Sequence, residues 1–422
     1  MFRMRYLTYP VDTPVTLTVE PVFPNSVQAE LDYSMEIIPF GGLRRRGRKP
    51  LLPEVEGFFF DRQPLAKVNG TLQIALILPQ EDSYALRLYA EGQQVAALEI
   101  YALEADLFPL NPYKGDHHLH SWMSDGKDSP YYMAAFACRR GYDYCAITDH
   151  RIWEPSLLTR DFFAATPVDF LVMPGEEVHS PDNPVHILSL GATESVNDWW
   201  RDHEDEYRAA VEERLPEIDE TLGAEDRYSC AASQVMFDRI RDKGGLSVLC
   251  HPHWIVKNVL HETEDVTDYL IENRRFDALE LVAGGAYEDG TLMQLSYYHR
   301  LPAMPILGNS DAHGVANDQL EPGNYTMIFA PELSVESVKE AICRSYAIGG
   351  CENKLYGDYR LVKYGYFLLR RFYPEHMAAR YRLGREMLRA ASAHTAITDA
   401  MKDKLRDPRP SGMFATLRYR EE

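Results

Sequence analysis

Between about residue 109 and residue 350, short apolar runs alternate with segments that have a helical pattern. The apolar runs read YDYCAIT, VDFLVMP, VHILSLG, GLSVLC, FDALELV and PAMPILG. Two of the segments between them, SPYYMAAFACRRG and AASQVMFDRIRDKGG, end in glycine, which is common at helix C-termini. This alternation is typical of an α/β protein with a parallel sheet, and we expect the sheet to close into a barrel.

Residues 1–108 have a different pattern, in which apolar and polar residues alternate along short runs. The runs TPVTLTVEPVF, TLQIALILP and YALRLYAEGQQVAALEIYALE are typical of β-strands, and the last contains a turn near Glu91 and Gly92. We therefore expect an N-terminal β-sandwich, in which each sheet buries one face against the other.

The remaining segments are predicted to be helical. Residues 197–227 are a charged insertion in the barrel, and residues 351–422 are a basic helical extension that breaks near Pro374. The predicted domains are thus a β-sandwich at 1–108, an α/β barrel at 109–350 and the C-terminal helical extension.

Composition limits the possible partners. The 422 residues carry a formal net charge of −20, and binding to duplex nucleic acid depends on neutralising phosphates, so we expect no general nucleic-acid partner. No apolar run approaches the ~20 residues of a membrane helix, and the N-terminal segment lacks the apolar core of a signal peptide. We expect a cytoplasmic protein that acts on a small molecule and has no membrane partner.

Histidine and carboxylate residues follow most of the predicted barrel strands. They are His118, His120 and Asp125, then Asp149 and His150, Glu176, Glu177 and His179, His251 and His253, and Asp311 and His313, with His186 at a strand start. The carboxyl ends of barrel strands meet at one face, so these residues are expected to lie together. Imidazole and carboxylate ligands together suit divalent zinc, manganese or iron. So many ligands predict a site with more than one ion.

The motifs occur in a specific order along residues 115–314: His-x-His-Ser, Ser-Asp-Gly, Thr-Asp-His, Gly-x-Glu, His-Pro and Ser-Asp-Ala-His. This ordered set resembles the PHP (polymerase and histidinol phosphatase) superfamily of metal-dependent hydrolases. The N-terminal β-domain also resembles the arrangement in CehA/McbA-like members. The resemblance implies a distorted (βα)7 PHP barrel that holds two to three divalent metal ions.

The resemblance also implies ligands for each ion. His118, His120 and Asp311 would bind the first metal, Glu177 would bridge the first and second, His186 and His251 would complete the second, and Asp125, His150 and His313 would hold the third. His179 is an alternative to His186 as a ligand. Some members have histidine where this chain has Asp125, which implies a weaker third site or one tuned to another metal.

Other residues near the motifs are expected to support the ligands or the reaction. Asp116 and Asp149 are expected to orient ligands through hydrogen bonds. Candidates for substrate contacts are Arg151, Lys127, His253 and His179. The expected catalytic residues are Asp311, Glu177 and His313.

Clustered divalent ions lower the pKa of a bound water and neutralise charge on the oxygens of a substrate. This chemistry predicts a metal-dependent phosphoesterase that acts on a small phosphorylated, and hence anionic, substrate. One alternative is a hydrolase for an ester, carbamate or amide at the same site. Another is a PHP module that binds metal without catalysis, although the complete ligand set argues against it.

Overall fold

The computed structural model describes residues 1–24, 26–42, 59–164, 168–283, 304–315, 323–392, 399–406 and 412–421. The chain divides into two compact units. The first unit comprises Met1–Leu110, Lys363–Glu375 and Arg409–Glu422, and the second unit comprises Asn111–Val362 and His376–Pro408. The segment after residue 351 thus contributes to both units. The division into three domains, at 1–108, 109–350 and 351–422, stays a prediction from the sequence.

The first unit is built around two β-sheets. Its described strands are β1 (Phe2–Met4), β2 (Thr8–Pro10), β3 (Pro14–Pro21), β4 (Tyr33–Pro39), β5 (Arg62–Pro64), β6 (Ala66–Val68), β7 (Thr71–Ile77), β8 (Asp82–Ala90) and β9 (Gln93–Leu103). One sheet has the order β1-β3-β7-β6 and the other has the order β2-β9-β8-β4-β5. Neighbouring strands are antiparallel, except that β2 runs parallel to β9.

The two sheets of the first unit share one hydrophobic core. Strand β4 buries the alternate residues Tyr33, Met35 and Ile37, because successive side chains of a strand point to opposite faces. Leu17 of one sheet and Leu86 of the other belong to the same buried cluster. Both sheets therefore contribute a face to this core.

The second unit has a mixed α/β structure. Its described strands are β10 (Asn111–Asp116), β11 (Tyr144–Ala146), β12 (Leu171–Met173), β13 (Gly175–Val178), β14 (Ile187–Leu190), β15 (Leu246–Leu249), β16 (Ile255–Val256), β17 (Val259–Leu260), β18 (Ala278–Ala283), β19 (Ile306–Asn309), β20 (Asn324–Ala330), β21 (Ala347–Cys351) and β22 (Lys354–Tyr356).

The described helices of the whole chain are α1 (Pro130–Arg139), α2 (Glu154–Ala164), α3 (Val196–Asp202), α4 (Glu204–Arg214), α5 (Ala224–Asp242), α6 (Glu264–Glu272), α7 (Val335–Cys343), α8 (Tyr359–Arg371), α9 (Tyr373–Ser392), α10 (Asp399–Leu405) and α11 (Phe414–Leu417). The charged insertion contains α3 and α4, and the predicted break near Pro374 falls where α8 ends and α9 begins. Across the described ranges, every helix is too short or too polar to span a lipid bilayer.

The two large sheets of the second unit have the orders β12-β11-β10-β20-β21-β22 and β13-β14-β15-β18-β19. Parallel pairing joins β10, β11 and β12, and also β15, β18 and β19. The pairs of β14 with β13 and β15, and of β20 with β10 and β21, are antiparallel, so each sheet is mixed and the expected parallel pairing holds for only part of it. The segment between Val178 and Ile187 is too short for a parallel crossover, which needs about a dozen residues or more.

The two sheets of the second unit are linked at the ends of their strands. An isolated β-bridge joins His150 to Glu177, and another joins Leu119 to Ala312. The carboxyl ends of β10, β11 and β19 consequently lie close to β13. Most of the histidines and carboxylates singled out in the sequence follow these strands.

Candidate metal centre

His118 and His120 stand just past the end of β10, and both side chains are fully buried. Leu119 forms a β-bridge with Ala312, so the backbone is extended there and the two imidazoles point to the same side. Nε2 of His120 lies 3.0 Å from Oδ1 of Asp311, and Nε2 of His118 lies 3.3 Å from the same oxygen. The structure thus brings together the three residues assigned to the first metal.

The Glu177 carboxylate on β13 lies between two sets of imidazoles. Its Oε2 atom faces Nδ1 of His150 at 2.6 Å, and Nε2 of His118 and of His120, both at 3.4 Å. Its Oε1 atom faces Nδ1 of His186 at 2.8 Å, Nε2 of His251 at 3.4 Å and Nε2 of His179 at 3.6 Å. A carboxylate whose two oxygens face different sets of ligands can bridge two cations.

Asp125 lies at the outer side of the cluster, and its side chain is 55% exposed. Its Oδ2 atom is 3.4 Å from Nε2 of His150, and its Oδ1 atom is 3.4 Å from Nε2 of His313. The ring of His120 packs against the ring of His313, with centroids 4.2 Å apart. The residues assigned to the third metal therefore share one corner of the cluster.

Several buried atoms of the cluster have no hydrogen-bond partner in the described part of the chain. They include both carboxylate oxygens of Glu177, Nε2 of His118, Nδ1 of His120 and Nδ1 of His186. Buried polar atoms are nearly always hydrogen-bonded, so such a concentration of exceptions needs an explanation. Imidazole and carboxylate atoms that converge without hydrogen bonds are what the ligands of a divalent cation require. The residues present therefore fit a metal site.

Five groups of described side chains have ligand atoms within 4.8 Å of one another. Three overlap the assigned ligand sets: Glu177, His186 and His251; His118, His120 and Glu177, which lacks the assigned Asp311; and Asp125, His150 and His313, to which His120 is added. The other two are His150, Glu177 and His179, and His118, Cys250, His251 and Glu280. Both His186 and the alternative His179 thus lie against Glu177.

Glu176, the neighbour of Glu177, points the other way. Its carboxylate accepts hydrogen bonds from the hydroxyl of Ser195 at 2.8 Å, the backbone N–H of Val196 at 2.5 Å and the side-chain amide of Asn197 at 2.8 Å. These donors surround the first turn of α3. Successive strand residues face opposite sides, and β13 therefore directs Glu177 alone toward the imidazoles.

The charges of the cluster shift its pKa values. Burial would raise the pKa of Glu177, but the imidazoles of His186 and His118 hold it well below its usual value. The pKa of Asp311 is also lowered, because His118 and His120 outweigh the effect of burial. Burial lowers the pKa of His186 to about 3. The two carboxylates are thus charged and His186 is neutral near pH 7, which are the forms that bind metal ions.

Asp116 and Asp149 contact the chain that carries the ligands rather than the imidazole rings. Oδ1 of Asp116 accepts hydrogen bonds from the backbone N–H groups of His118 and Ser310, both at 3.1 Å. Asp149 accepts hydrogen bonds from the N–H of Ser121 at 2.7 Å and from its hydroxyl at 2.6 Å. Both carboxylates are buried, and they hold the backbone on either side of the ligand pair.

The candidates for substrate contacts differ in position. Lys127 and Arg151 are exposed, and their backbone N–H groups bond the carbonyls of His313 at 2.8 Å and Glu177 at 2.9 Å, so both residues border the cluster. His253 is buried and belongs to none of the five groups of the described residues.

Two residues near the cluster were missed in the sequence. Glu280 on β18 and Asn309 on β19 are fully buried, and each contacts a histidine of the His118 segment. Their signal was a polar residue within or at the end of an apolar run, Glu280 in ALELV and Asn309 in MPILGN.

Four residues in or near the cluster have a left-handed backbone conformation. Asp311 has φ +52°, Arg151 has φ +61°, and His251 and His253 have φ +22° and +71°. Residues other than glycine adopt this left-handed region at a cost of about 1–3 kcal/mol each, and such residues tend to occur at functional sites.

No family model matches this chain. A stretch of 59 residues, 14% of the chain, is 46% identical to the DNA polymerase/3′-5′ exonuclease PolX of Bacillus subtilis and spans 10% of that protein. A solved two-domain protein from Bacteroides vulgatus, which contains a predicted PHP-like metal-dependent phosphoesterase, is 19% identical with a TM-score of 0.44, over 62% of this chain and 71% of that one. The chain resembles PHP-like proteins. An amidohydrolase from Chromobacterium violaceum, solved with bound sulfate and no metal, is 17% identical with a TM-score of 0.34, over 48% of this chain and 89% of that one.

Proposed function

We propose that this protein is a metal-dependent phosphoesterase that hydrolyses a small phosphorylated substrate with a metal-activated water. The observation that carries the proposal is the fully buried Glu177 carboxylate, whose two oxygens face two different sets of imidazoles. A buried carboxylate among so many nitrogen ligands is explained by two cations, and a single cation would leave one set without a role.

We further propose that the second unit is a distorted (βα)7 PHP-type barrel. Its two sheets and the β-bridges His150–Glu177 and Leu119–Ala312 support this proposal, because together they connect β10, β11, β13, β14, β15, β18 and β19 in a ring. The carboxyl ends of barrel strands are where the active sites of such folds lie.

The proposed site holds two to three ions of zinc, manganese or iron. The residues that would hold them are His118, His120, Asp311, Glu177, His186, His251, Asp125, His150 and His313. When bound, the ions would lower the pKa of a water and neutralise charge on the oxygens of the substrate.

The side chains of the cluster have separate tasks in the proposed reaction. Oδ1 of Asp311 faces His118 and His120, which leaves its Oδ2 to accept the proton of the attacking water. Glu177 remains ionised because of the surrounding imidazoles, and it keeps the two ligand sets at a fixed separation. His313 and Asp125 form the open corner, where the phosphoryl oxygens would enter.

Lys127 and Arg151 are the proposed contacts for the anionic group of the substrate. Both are exposed cations, and their backbones are tied to His313 and Glu177. A guanidinium and an ammonium at the rim of the cluster would form charge-assisted hydrogen bonds with a phosphate.

The test is a set of substrates with one leaving group, p-nitrophenol, carried as a phosphate, an acetate or a carbamate. We expect the metal-loaded protein to hydrolyse the phosphate fastest, to lose this activity with a chelator, and to regain it when zinc or manganese is added. Hydrolysis of the acetate or carbamate alone would show that the site transfers acyl groups. A metal-loaded protein that hydrolyses none of the three would be a non-catalytic module.

A further inference from the structure

Glu280 is a buried carboxylate beside the cluster that no motif includes. It lies on β18, whose other residues, Ala278–Ala283, are apolar and buried. An ionisable side chain at such a position is costly unless it is hydrogen-bonded. The contacts of Glu280 therefore indicate its purpose.

Both carboxylate oxygens of Glu280 accept hydrogen bonds. Oε1 lies 3.1 Å from Nδ1 of His118 and accepts a hydrogen bond from the side-chain amide of Asn309 at 2.8 Å. Oε2 accepts a hydrogen bond from the backbone N–H of His251 at 2.8 Å. One carboxylate thus holds a residue of the first metal group and a residue of the second.

The oxygens of Glu280 lie near enough to ligand atoms of His118, Cys250 and His251 for Glu280 to be a metal ligand itself. Its hydrogen bonds favour a different role. A backbone N–H already bonds Oε2, and an amide N–H bonds Oε1, so both oxygens are engaged by donors that a metal ion would have to displace. Nε2 of His118 faces Glu177 and Asp311, and Nδ1 faces Glu280. The ring therefore has one nitrogen for a metal and the other for a carboxylate.

We propose that Glu280 is a positioning residue that orients one histidine in each of two metal groups, His118 in the first and His251 in the second. It keeps the proton of His118 on Nδ1, so that Nε2 is free to bind, and it holds His251 in its left-handed backbone conformation, φ +22°. Carboxylates that bond the second nitrogen of a metal-binding histidine fix its orientation and raise its basicity. This inference rests on the proposed metal site.

The variant Glu280→Gln tests the proposal. Gln has one amide donor in place of an oxygen, so at least one of the three N–H groups around it would face another N–H group. Glu176→Gln is the matched control, because Glu176 is equally buried and also accepts three hydrogen bonds, and within the described residues these come from Ser195, Val196 and Asn197 rather than from an imidazole.

The first measurement is the affinity for Zn²⁺ in competition with a chromophoric chelator. We expect Glu280→Gln to lose about 10- to 100-fold in affinity, while Glu176→Gln retains the wild-type affinity and loses only thermal stability. Equal affinity of Glu280→Gln and the wild type would overturn the inference. An equal loss in Glu176→Gln would also overturn it, because the effect would then follow from neutralising any buried carboxylate.

The second measurement needs no variant at Glu280 and so does not depend on that variant folding. In wild-type protein labelled with ¹⁵N-histidine, His118 should show a slowly exchanging Nδ1–H proton in the presence of Zn²⁺, assigned by its loss in His118→Gln. A His118 ring with its proton on Nε2 would contradict the proposed role. A wild-type protein that binds no metal in either measurement would refute the proposed function itself, which separates the two failures.

Discussion

Two substitutions at adjacent residues, Glu177→Gln and Glu176→Gln, should have different consequences: the first should reduce bound metal, and the second should reduce only stability. Each replaces one carboxylate oxygen with an amide nitrogen in neighbouring, fully buried residues of β13. The Glu177 oxygens lie 2.6–3.6 Å from imidazole nitrogens, whereas the Glu176 oxygens bond only donors at the start of α3 in the described part of the chain. The same chemical change would therefore remove the proposed metal bridge in one case and a helix contact in the other.

The expected magnitudes follow from these contacts. Residues that only hydrogen-bond a metal ligand contribute about 10- to 100-fold to metal affinity, so a carboxylate that itself contacts two ions should contribute at least about 100-fold. For Glu176→Gln, weaker hydrogen bonds at a buried site should cost about 1–3 kcal/mol of the free energy of unfolding. Each kcal/mol lowers the melting temperature by about 2–4 °C for a domain of this size.

The assay is elemental analysis of both variants together with thermal melting and phosphatase activity. Glu177→Gln should lose bound metal and activity, and Glu176→Gln should keep both while its melting temperature falls. If Glu176→Gln lost as much metal as Glu177→Gln, or more, the orientation of β13 would be wrong by one residue. Full metal content in Glu177→Gln would refute the bridging role.

Wild-type protein purified without chelator should contain two to three equivalents of zinc, manganese or iron by elemental analysis, and less than one equivalent after metal supplementation would contradict a multinuclear site. Asp125→Ala should lower this content by about one equivalent without loss of the fold, since Asp125 is a half-exposed loop residue; phosphate hydrolysis should fall steeply, and unchanged metal content would argue against a third ion at this residue. Gly384→Ala should lower the melting temperature, because a Cβ there would collide with the backbone of Arg139; overpacking costs about 1–3 kcal/mol and exceeds the gain of about 1 kcal/mol from replacing a helical glycine. Burial raises the pKa of Glu262 from 4.5 to about 7, so its contribution to stability is complete below pH 4.5 and is lost as the pH rises through 7; Glu262→Gln should reduce this decline in melting experiments, and an identical pH profile would contradict it.

The residues that converge in the cluster were predictable from the sequence because their signal is local. His118 and His120 are two positions apart on an extended segment, and a period of two places both side chains on one side. Glu177 could be distinguished from Glu176 by the Gly-x-Glu motif. Each motif also follows an apolar run, and this position predicts the strand end at which the side chains meet.

Whether neighbouring strands run parallel or antiparallel was harder to predict from the sequence. The apolar runs around Val178 and Ile187 predict two strands, but a run of buried residues looks the same in a parallel and an antiparallel pair. The short connection between them was the available signal, and it was outweighed by the strand–helix alternation of the rest of the unit.

Residues whose partners lie far away in the chain were also missed. His376 on α9 is buried, its Nε2 lies 2.7 Å from Oδ1 of Asp143, and Nη2 of Arg380 lies 2.6 Å from the same oxygen. No spacing in the sequence connects α9 to the start of β11, because the contact exists only after the helix packs in the second unit.

The sequence by itself determined the chemistry of this protein: which side chains can bind a metal, and in what order they occur. Each of these properties depends on residue type and on the short-range geometry of strands. The tertiary structure decided which of these side chains lie together and which buried carboxylate contacts them. Glu280 is 162 residues from His118 in the chain, yet it lies 3.1 Å from the ring. Pairings of this kind follow from how the strands are arranged in the sheets, which depends on the packing of the whole unit and on no local pattern.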